Sequence, residues 1–301
     1  MTALGSDGHG ARVAVAVVMP ARDEADAVAK VVSGVAAALR GDARIAKVDI
    51  VVVDDGSADG TAANAVAAGA RVLRHEQPRG YGATLKDGIR ATSAEFVCVV
   101  DADGTYPPAA VPEMLALMAA GADQVIGARA LLDGRTPTLR RLVKAVITGL
   151  AGLLAGRRIA DLNSGLRCVR RSRVEPLLPM MPDGFSFTTT LTIAGVLGGW
   201  DVRWHEISYA RRLGESKFRP VRDTLRLLWS LGRAVAYFAP WRLFAVPAAA
   251  LGGAAAVLAT MCLLGGGGGW LAPAALGLGT CALVVLGRRC AAASRSRRVA
   301  T

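Results

Sequence analysis

Aromatic residues are scarce, at 5% of 301 residues, and histidine occurs only three times. His9, His75 and His205 are scattered and form no metal cluster. The five cysteines (Cys98, Cys168, Cys262, Cys281, Cys290) show no paired spacing, so neither a disulfide framework nor a zinc site is indicated. Free thiols suit a reducing compartment. No G-x-G-x-x-G follows the first apolar run and no G-x-x-x-x-G-K-[ST] occurs, which removes the main support for dinucleotide-binding and P-loop readings. Zinc-finger spacing, a basic zipper and an aromatic RNA-binding signature are also missing, so no nucleic-acid partner is expected. Acid is scarce in one region. From Val202 onward 14 basic residues stand against 3 acidic ones, whereas the preceding chain is nearly balanced.

The same C-terminal third holds the long apolar runs. Leu243 to Leu264 is uncharged and of spanning length; Trp270 to Leu286 is a second, slightly short run interrupted by Pro273. Arg242 precedes the pair, and Arg288, Arg289, Arg295, Arg297 and Arg298 follow it. The Gly265–Gly269 turn between them is uncharged, so the positive-inside rule predicts a hairpin with both ends in the cytoplasm. Residues 218–241 have apolar positions at helical spacing with arginines among them, which predicts an amphipathic helix in the membrane interface. The expected organisation is a disordered stretch at 1–11, a catalytic domain at 12–217, the interface helix at 218–241, two transmembrane helices within 242–288 and a basic cytoplasmic tail at 289–301.

Between residues 12 and 217 short apolar runs alternate with Ala-rich helical segments. Val13–Met19, Val48–Val53, Arg71–Leu73, Phe96–Val100 and Gln124–Gly127 read as strands, with Pro20 ending the first; Trp200–Tyr209 reads as a late strand. Helices are expected over Ala25–Leu39, Thr61–Ala68, Ala83–Thr92, Val111–Ala119 and Leu139–Leu154. This alternation argues an α/β fold with a mostly parallel sheet flanked by helices. Two strands end in acids: Asp54-Asp55-Gly56-Ser57 and Asp101-Ala102-Asp103-Gly104. Ligands sit beyond the carboxyl ends of such strands. Two carboxylates one residue apart there suit Mg²⁺ or Mn²⁺, typically held by one or two carboxylates plus substrate phosphates.

Six motifs occur in order: VVMPARDEADAV, VVVDDGSADGT, RGYGATLKDGI, VVDADGTYPP, DLNSGLRCVRRS and GESKF. Together they resemble the family 2 glycosyltransferases of the A-type fold, in particular the polyprenyl-phosphate branch. The resemblance covers about residues 12 to 220, and the apolar tail suits its bacterial members. It implies that Pro20, Arg22, Glu24, Asp54, Asp55 and Ser57 hold the nucleotide of a nucleotide-diphosphate sugar. Asp101 and Asp103 would carry the metal on the diphosphate, with Ala102 between them, and Arg211 and Lys217 would approach the phosphates from the other side. Arg129, Arg140, Arg141, Lys144 and Ser164 would receive the phosphate of a polyprenyl phosphate acceptor. Asp161 matches the acid of the family's Asp-x-x-Ser-Gly motif, which implies a catalytic base. A phosphate monoester is already largely dianionic at neutral pH, so Asp161 could equally position Arg167 or the acceptor loop.

Two departures from the family pattern matter. Thr105 stands where mannose-transferring members often have Gln, and Trp200 stands where processive polymerases have the Gln of Gln-x-x-Arg-Trp. A third ligand is thus in doubt, and single, inverting transfer is expected in place of polymerisation. The expectation is an inner-membrane enzyme in contact with membrane lipids, multi-pass, with its catalytic domain and both termini in the cytoplasm; a homo-oligomer is compatible. Two other readings stay open: a tethered transferase with a hydroxyl acceptor, and a degenerate, non-catalytic membrane partner.

Overall fold

A computed structural model describes residues 12–129, 148–149, 151–153, 156–210, 220–265 and 271–299. The chain divides into two compact units: Met1–Arg141 with Ala160–Leu227, and Leu142–Ile159 with Leu228–Thr301.

The first unit is built on strands β1 (Val13–Ala21), β2 (Ile45–Asp54), β3 (Arg71–Arg74), β4 (Phe96–Val99), β5 (Gln124–Arg129), β6 (Arg167–Arg170) and β7 (Val202–Ile207). They form one sheet in the order β3-β2-β1-β4-β6-β5-β7. Every neighbouring pair is parallel except β4–β6 and β5–β6, where β6 runs against both partners. The helices are α1 (Val28–Leu39), α2 (Thr61–Ala67), α3 (Tyr81–Arg90), α4 (Ala110–Ala119), a single turn α5 (Arg171–Val174) continued by a 3₁₀ stretch, and α6 (Phe187–Leu197).

Side chains alternate across the sheet. Val15, Val17 and Met19 of β1 join Val28, Val31, Val32 and Val35 of α1 and Met114 and Met118 of α4 in one core. On the opposite face α3 lies so close that a Cβ on Gly88 would fall 2.4 Å from Val18 Cγ1. This two-faced burial explains why the strands lack polar alternation.

Pro20 does not end β1, which continues to Ala21. β4 pairs with β1 only over Val15–Val18, so at Pro20 the ladder has a partner on the β2 side alone and the missing N–H is tolerated. β6 and α6 are elements the sequence pattern does not announce. β6 is four residues with arginine at both ends, and Thr188, Thr189, Thr190 and Thr192 give α6 the composition of a strand. α6 is buried on nearly every side, so it has no amphipathic period to detect. The helix expected over Leu139–Leu154 lies mostly outside the described residues.

α7 (Pro220–Phe238) begins in the first unit and ends in the second, which also holds α8 (Trp241–Gly265) and α9 (Leu271–Val299). α8 and α9 run antiparallel, with Gly252 opposite Thr280 and Gly287 opposite Phe244 and Trp241. Pro247–Leu264 is long and apolar enough to cross a membrane, and only 6% of it is buried, unlike a core helix. Leu263, Leu264 and Leu278 are among its exposed apolar side chains and those of α9. The apolar part of α9, Pro273–Arg288, is shorter, and the helix runs on through the arginines to Val299. Among the described residues one helix is long and apolar enough to cross a membrane, where two spans were expected; Pro273 and the arginines from Arg288 bound the shorter apolar stretch.

Candidate active site at the carboxyl edge of the sheet

The parallel strands β1, β2, β4 and β5 place their carboxyl ends at one edge. Because β6 is antiparallel, its amino end, and with it the 161–166 loop, reaches the same edge. Gly127 N donates to Leu166 O at 2.9 Å, continuing the β5–β6 ladder into that loop.

The β1 and β2 ends are tied into one rigid wall. Asp23 N donates to Ser57 Oγ at 2.9 Å, Glu24 N to Thr61 Oγ1 at 2.8 Å, and Ala58 N to Asp23 Oδ1 at 3.0 Å. Arg22 pairs loosely with Asp23 at 3.7 Å and is exposed. Asp54 is 0% exposed; its Oδ1 receives Ser57 N at 3.0 Å and the Ser57 hydroxyl, so it shapes the turn. Asp55 is equally engaged. Its Oδ1 receives Arg79 N at 2.7 Å and lies 2.8 Å from His75 Nδ1, and its Oδ2 receives Gly80 N at 2.9 Å. Burial works against its charge, but His75 and the two backbone amides prevail and hold its pKa below the ordinary value.

A depressed carboxyl pKa stabilises the fold above the unfolded value, about 3.9, and that stability is lost as pH falls through the folded value. Asp55→Asn should lower stability at pH 7 by about 2 kcal/mol and flatten the acid limb of an unfolding series followed by circular dichroism.

At the end of β4 the Asp103 Oδ1 receives Thr105 N at 3.1 Å and Thr105 Oγ1 at 2.7 Å. Thr105 is thus a second-hand support of Asp103, holding it as a turn residue would. Asp101 Oδ1 receives the hydroxyl of Tyr81 at 2.8 Å. Burial, followed by the neighbouring carboxylate, holds that phenol far above its ordinary pKa, so it stays a donor. Gly165 packs onto Asp101 from the loop: a Cβ there would lie 2.5 Å from Asp101 Oδ2. Its N–H donates to Tyr106 Oη at 2.7 Å. Gly165→Ala should displace the Asp101 carboxylate and lower kcat/KM about a hundredfold in a transfer assay, with little change in melting temperature.

Among the described residues no group of three or more His, Cys, Asp or Glu side chains could cage a metal. The hard oxygen donors of Asp101, against which a Cβ on Gly165 would collide, and of Asp103 have the chemistry to fit a divalent cation whose shell is completed by substrate phosphates.

The third component is cationic. Arg129, at the end of β5, meets Asp161 in a bidentate pair, Nε to Oδ2 at 2.8 Å and Nη2 to Oδ1 at 3.0 Å. Nη2 also donates to Asn163 Oδ1 at 3.0 Å, and the guanidinium lies 5.4 Å from the Tyr209 ring centre. Tyr209 in turn meets Tyr106 edge-on at 5.3 Å. Burial disfavours the Arg129 charge, but the Asp161 carboxylate outweighs it and keeps the guanidinium protonated. Asp161 is itself 0% exposed. Behind both sits Arg167, fully buried, donating to Thr188 O at 2.9 Å and to Ser164 O. Burial pushes its pKa down to about 10, against the pull of Tyr81, Tyr106, Asp161 and Asp101, so it remains a fixed positive charge under the acids.

The edge thus brings together Pro20, Arg22, Glu24, Asp54, Asp55, Ser57, Asp101, Ala102, Asp103, Arg129, Asp161 and Ser164. Pro20 and Ala102 contribute buried backbone positions, and Ser164 contributes its carbonyl. Arg140, Arg141, Lys144, Arg211 and Lys217 lie outside the described residues. Tyr81 and Asn163 stand within RGYGATLKDGI and DLNSGLRCVRRS, and Tyr209 ends the expected late strand, but no role attaches to them from the sequence, since a single tyrosine or asparagine carries no spacing signal.

This mostly parallel sheet, with one reversed strand and acids beyond β2 and β4, is an α/β fold like that of the A-type glycosyltransferases, and the chain belongs to glycosyl transferase family 2, whose family model matches residues 16–181. It is a glycosyltransferase. The dolichyl-phosphate hexose transferase of Haloferax volcanii is 32% identical over 207 residues, which are 68% of this chain and 87% of that one. The polyprenol monophosphomannose synthase of Mycolicibacterium smegmatis is 30% identical over 186 residues, 57% of this chain and 70% of that one. Among solved structures, the glucosyl-3-phosphoglycerate synthase of Mycobacterium tuberculosis, crystallised with Mg²⁺ and uridine diphosphate, shares the fold with a TM-score of 0.58 at 22% identity, covering 74% of this chain and 79% of that one.

Proposed function

We propose that this protein transfers a single sugar from a nucleotide-diphosphate sugar to polyprenyl phosphate, with inversion, at the cytoplasmic face of the inner membrane. The observation that carries the reading is the division of charge along one sheet edge: Asp101 and Asp103 after β4, Arg129 at the end of β5. Donor diphosphate and lipid phosphate are both anionic, and their repulsion at about 4 Å amounts to several kcal/mol at an effective dielectric near 20. Asp101 and Asp103 would hold Mg²⁺ or Mn²⁺, which offsets the charge on the departing nucleoside diphosphate. Arg129 draws in the acceptor phosphate, whose oxygen forms the new bond to the anomeric carbon as the bond to the diphosphate breaks. The wall of Asp23, Ser57 and Thr61 gives the nucleotide a preformed seat, shaped by the buried Asp54 and Asp55. Relatives named for dolichyl-phosphate and polyprenol-phosphate sugar transfer support the choice of acceptor.

The membrane part of the reading rests on the exposed apolar span of α8 and its antiparallel partner α9, with arginines at both ends. Trp229 on α7, 71% exposed, and Tyr237 have the amphipathic rings favoured at the headgroup level. The test is a transfer assay on detergent-purified protein with a panel of radiolabelled UDP- and GDP-sugars and polyprenyl phosphate. Organic-extractable label that disappears with chelator supports the reading and names the sugar. Release of nucleoside diphosphate without lipid-borne label would mean that the acceptor is wrong.

A further inference from the structure

The hydroxyl of Tyr81, a residue of the RGYGATLKDGI motif with no role assigned above, reaches across from the start of α3 to Asp101. The Tyr81 side chain is not free to wander. Its ring is stacked on Phe185 at 5.5 Å between centres and 25° between planes. Phe185 is itself 46% exposed, one of few large apolar side chains of the first unit left facing solvent. The segment carrying Phe185 is clamped to α3. Gly82 N and Ala83 N donate to Asp183 O at 2.7 and 3.1 Å, and Lys86 Nζ donates to Met181 O at 3.1 Å and pairs with the Asp183 carboxylate. The approach is so close that a Cβ on Gly82 would fall 2.1 Å from Pro182 O. The amino end of α3 is therefore closed by a protein carbonyl and is not a phosphate seat; what it supplies to the site is the Tyr81 hydroxyl.

We propose that Tyr81 is a positioning residue for the metal-binding carboxylate of Asp101, and that Phe185 is the cap that fixes its hydroxyl there. The proposal rests on the metal-dependent donor site argued above. A carboxylate with one oxygen held by a phenol is steered away from chelating a cation through both oxygens. One-oxygen ligation suits Mg²⁺ and Mn²⁺, which prefer compact octahedral shells; two-oxygen ligation suits Ca²⁺, which takes more and longer bonds. Tyr81 thereby influences not only how tightly a cation is held but which cation. Groups that hydrogen-bond to a ligating carboxylate commonly contribute about 10–100-fold to metal affinity.

The experiment uses the full-length, detergent-solubilised protein and reads binding as well as turnover. Calorimetry measures UDP and GDP binding in the presence of Mn²⁺ and, separately, of Ca²⁺, for the wild type, Tyr81→Phe and Phe185→Ala. Tyr81→Phe keeps the ring and its stack, so the melting temperature is expected to stay close to wild type. Mn²⁺-dependent nucleotide binding should weaken about 10–100-fold, Ca²⁺-dependent binding should weaken less, and metal-free binding should not change. Phe185→Ala should shift the Mn²⁺ dependence in the same direction by a smaller factor. An unchanged ratio of Mn²⁺ to Ca²⁺ dependence in Tyr81→Phe, in a protein that melts as the wild type does, overturns the proposal while leaving the metal site standing. Nucleotide binding that ignores divalent cations in the wild type overturns the metal site itself and this proposal with it.

Discussion

Asp103→Asn should abolish sugar transfer to within about a thousandth of the wild-type rate while leaving the protein folded. The asparagine carbonyl can still accept the Thr105 N–H and hydroxyl that Asp103 Oδ1 receives at 3.1 and 2.7 Å, so the turn survives. What disappears is the negative charge that would hold a cation on the donor diphosphate. Removing one well-placed electrostatic contact to developing charge typically costs 10²–10³ in rate, and about 4 kcal/mol corresponds to a thousandfold. Asp103→Ala should lose activity equally and also lower stability by about 1 kcal/mol, since the buried turn then lacks its acceptor. The measurement is organic-phase label per unit time, with the melting temperature recorded on the same preparation. Substantial transfer by Asp103→Asn would remove the metal-held diphosphate from the mechanism.

Asp161 gives the second large effect, and it separates two roles for one residue. Asp161→Ala strands the guanidinium of Arg129, whose side chain is 22% exposed, beside a cavity. Breaking a buried pair from one side costs about 3–5 kcal/mol, and the residual exposure of Arg129 places the expectation at about 3 kcal/mol. For a unit of this size that is a melting-temperature drop of roughly 6–12 °C. Transfer should fall too, for a reason the geometry makes plain: both Asp161 oxygens are engaged by Arg129, an arrangement suited to aiming a cation and poorly suited to taking a proton. A double-mutant cycle discriminates. If Asp161 acts through Arg129, adding Asp161→Asn to Arg129→Gln should cost almost nothing further in kcat/KM. If it were a general base for a hydroxyl acceptor, its loss would multiply the loss from Arg129→Gln, and the phosphate acceptor would give way to a hydroxyl one.

The amino-acid sequence on its own determined the strands of the parallel core, the acids at their ends and the apolar span. These are local signals. A doubly buried strand reads as an unbroken apolar run, a ligand edge as a sudden pair of carboxylates, and a span as length without charge. The motifs likewise pointed to Asp101, Asp103 and Asp161, and the end of an expected strand to Arg129, without saying which of them touch. Tertiary structure decided those partnerships. The reversal of β6, four residues bracketed by arginines, turns the 161–166 loop to the edge where β4 and β5 end. Only then does Asp161 meet Arg129, 32 positions away, and Gly165 meet Asp101. The resemblance implies that Asp54 and Asp55 hold the nucleotide; in the fold Asp54 Oδ1 holds Ser57, and the Asp55 oxygens hold His75, Arg79 and Gly80. Strand direction and side-chain pairing across tens of residues are set by how the elements pack, and no periodicity within a single segment encodes them. The same holds for Tyr81: its hydroxyl reaches Asp101 because α3 is clamped to the 181–185 segment, a contact bridging about a hundred residues.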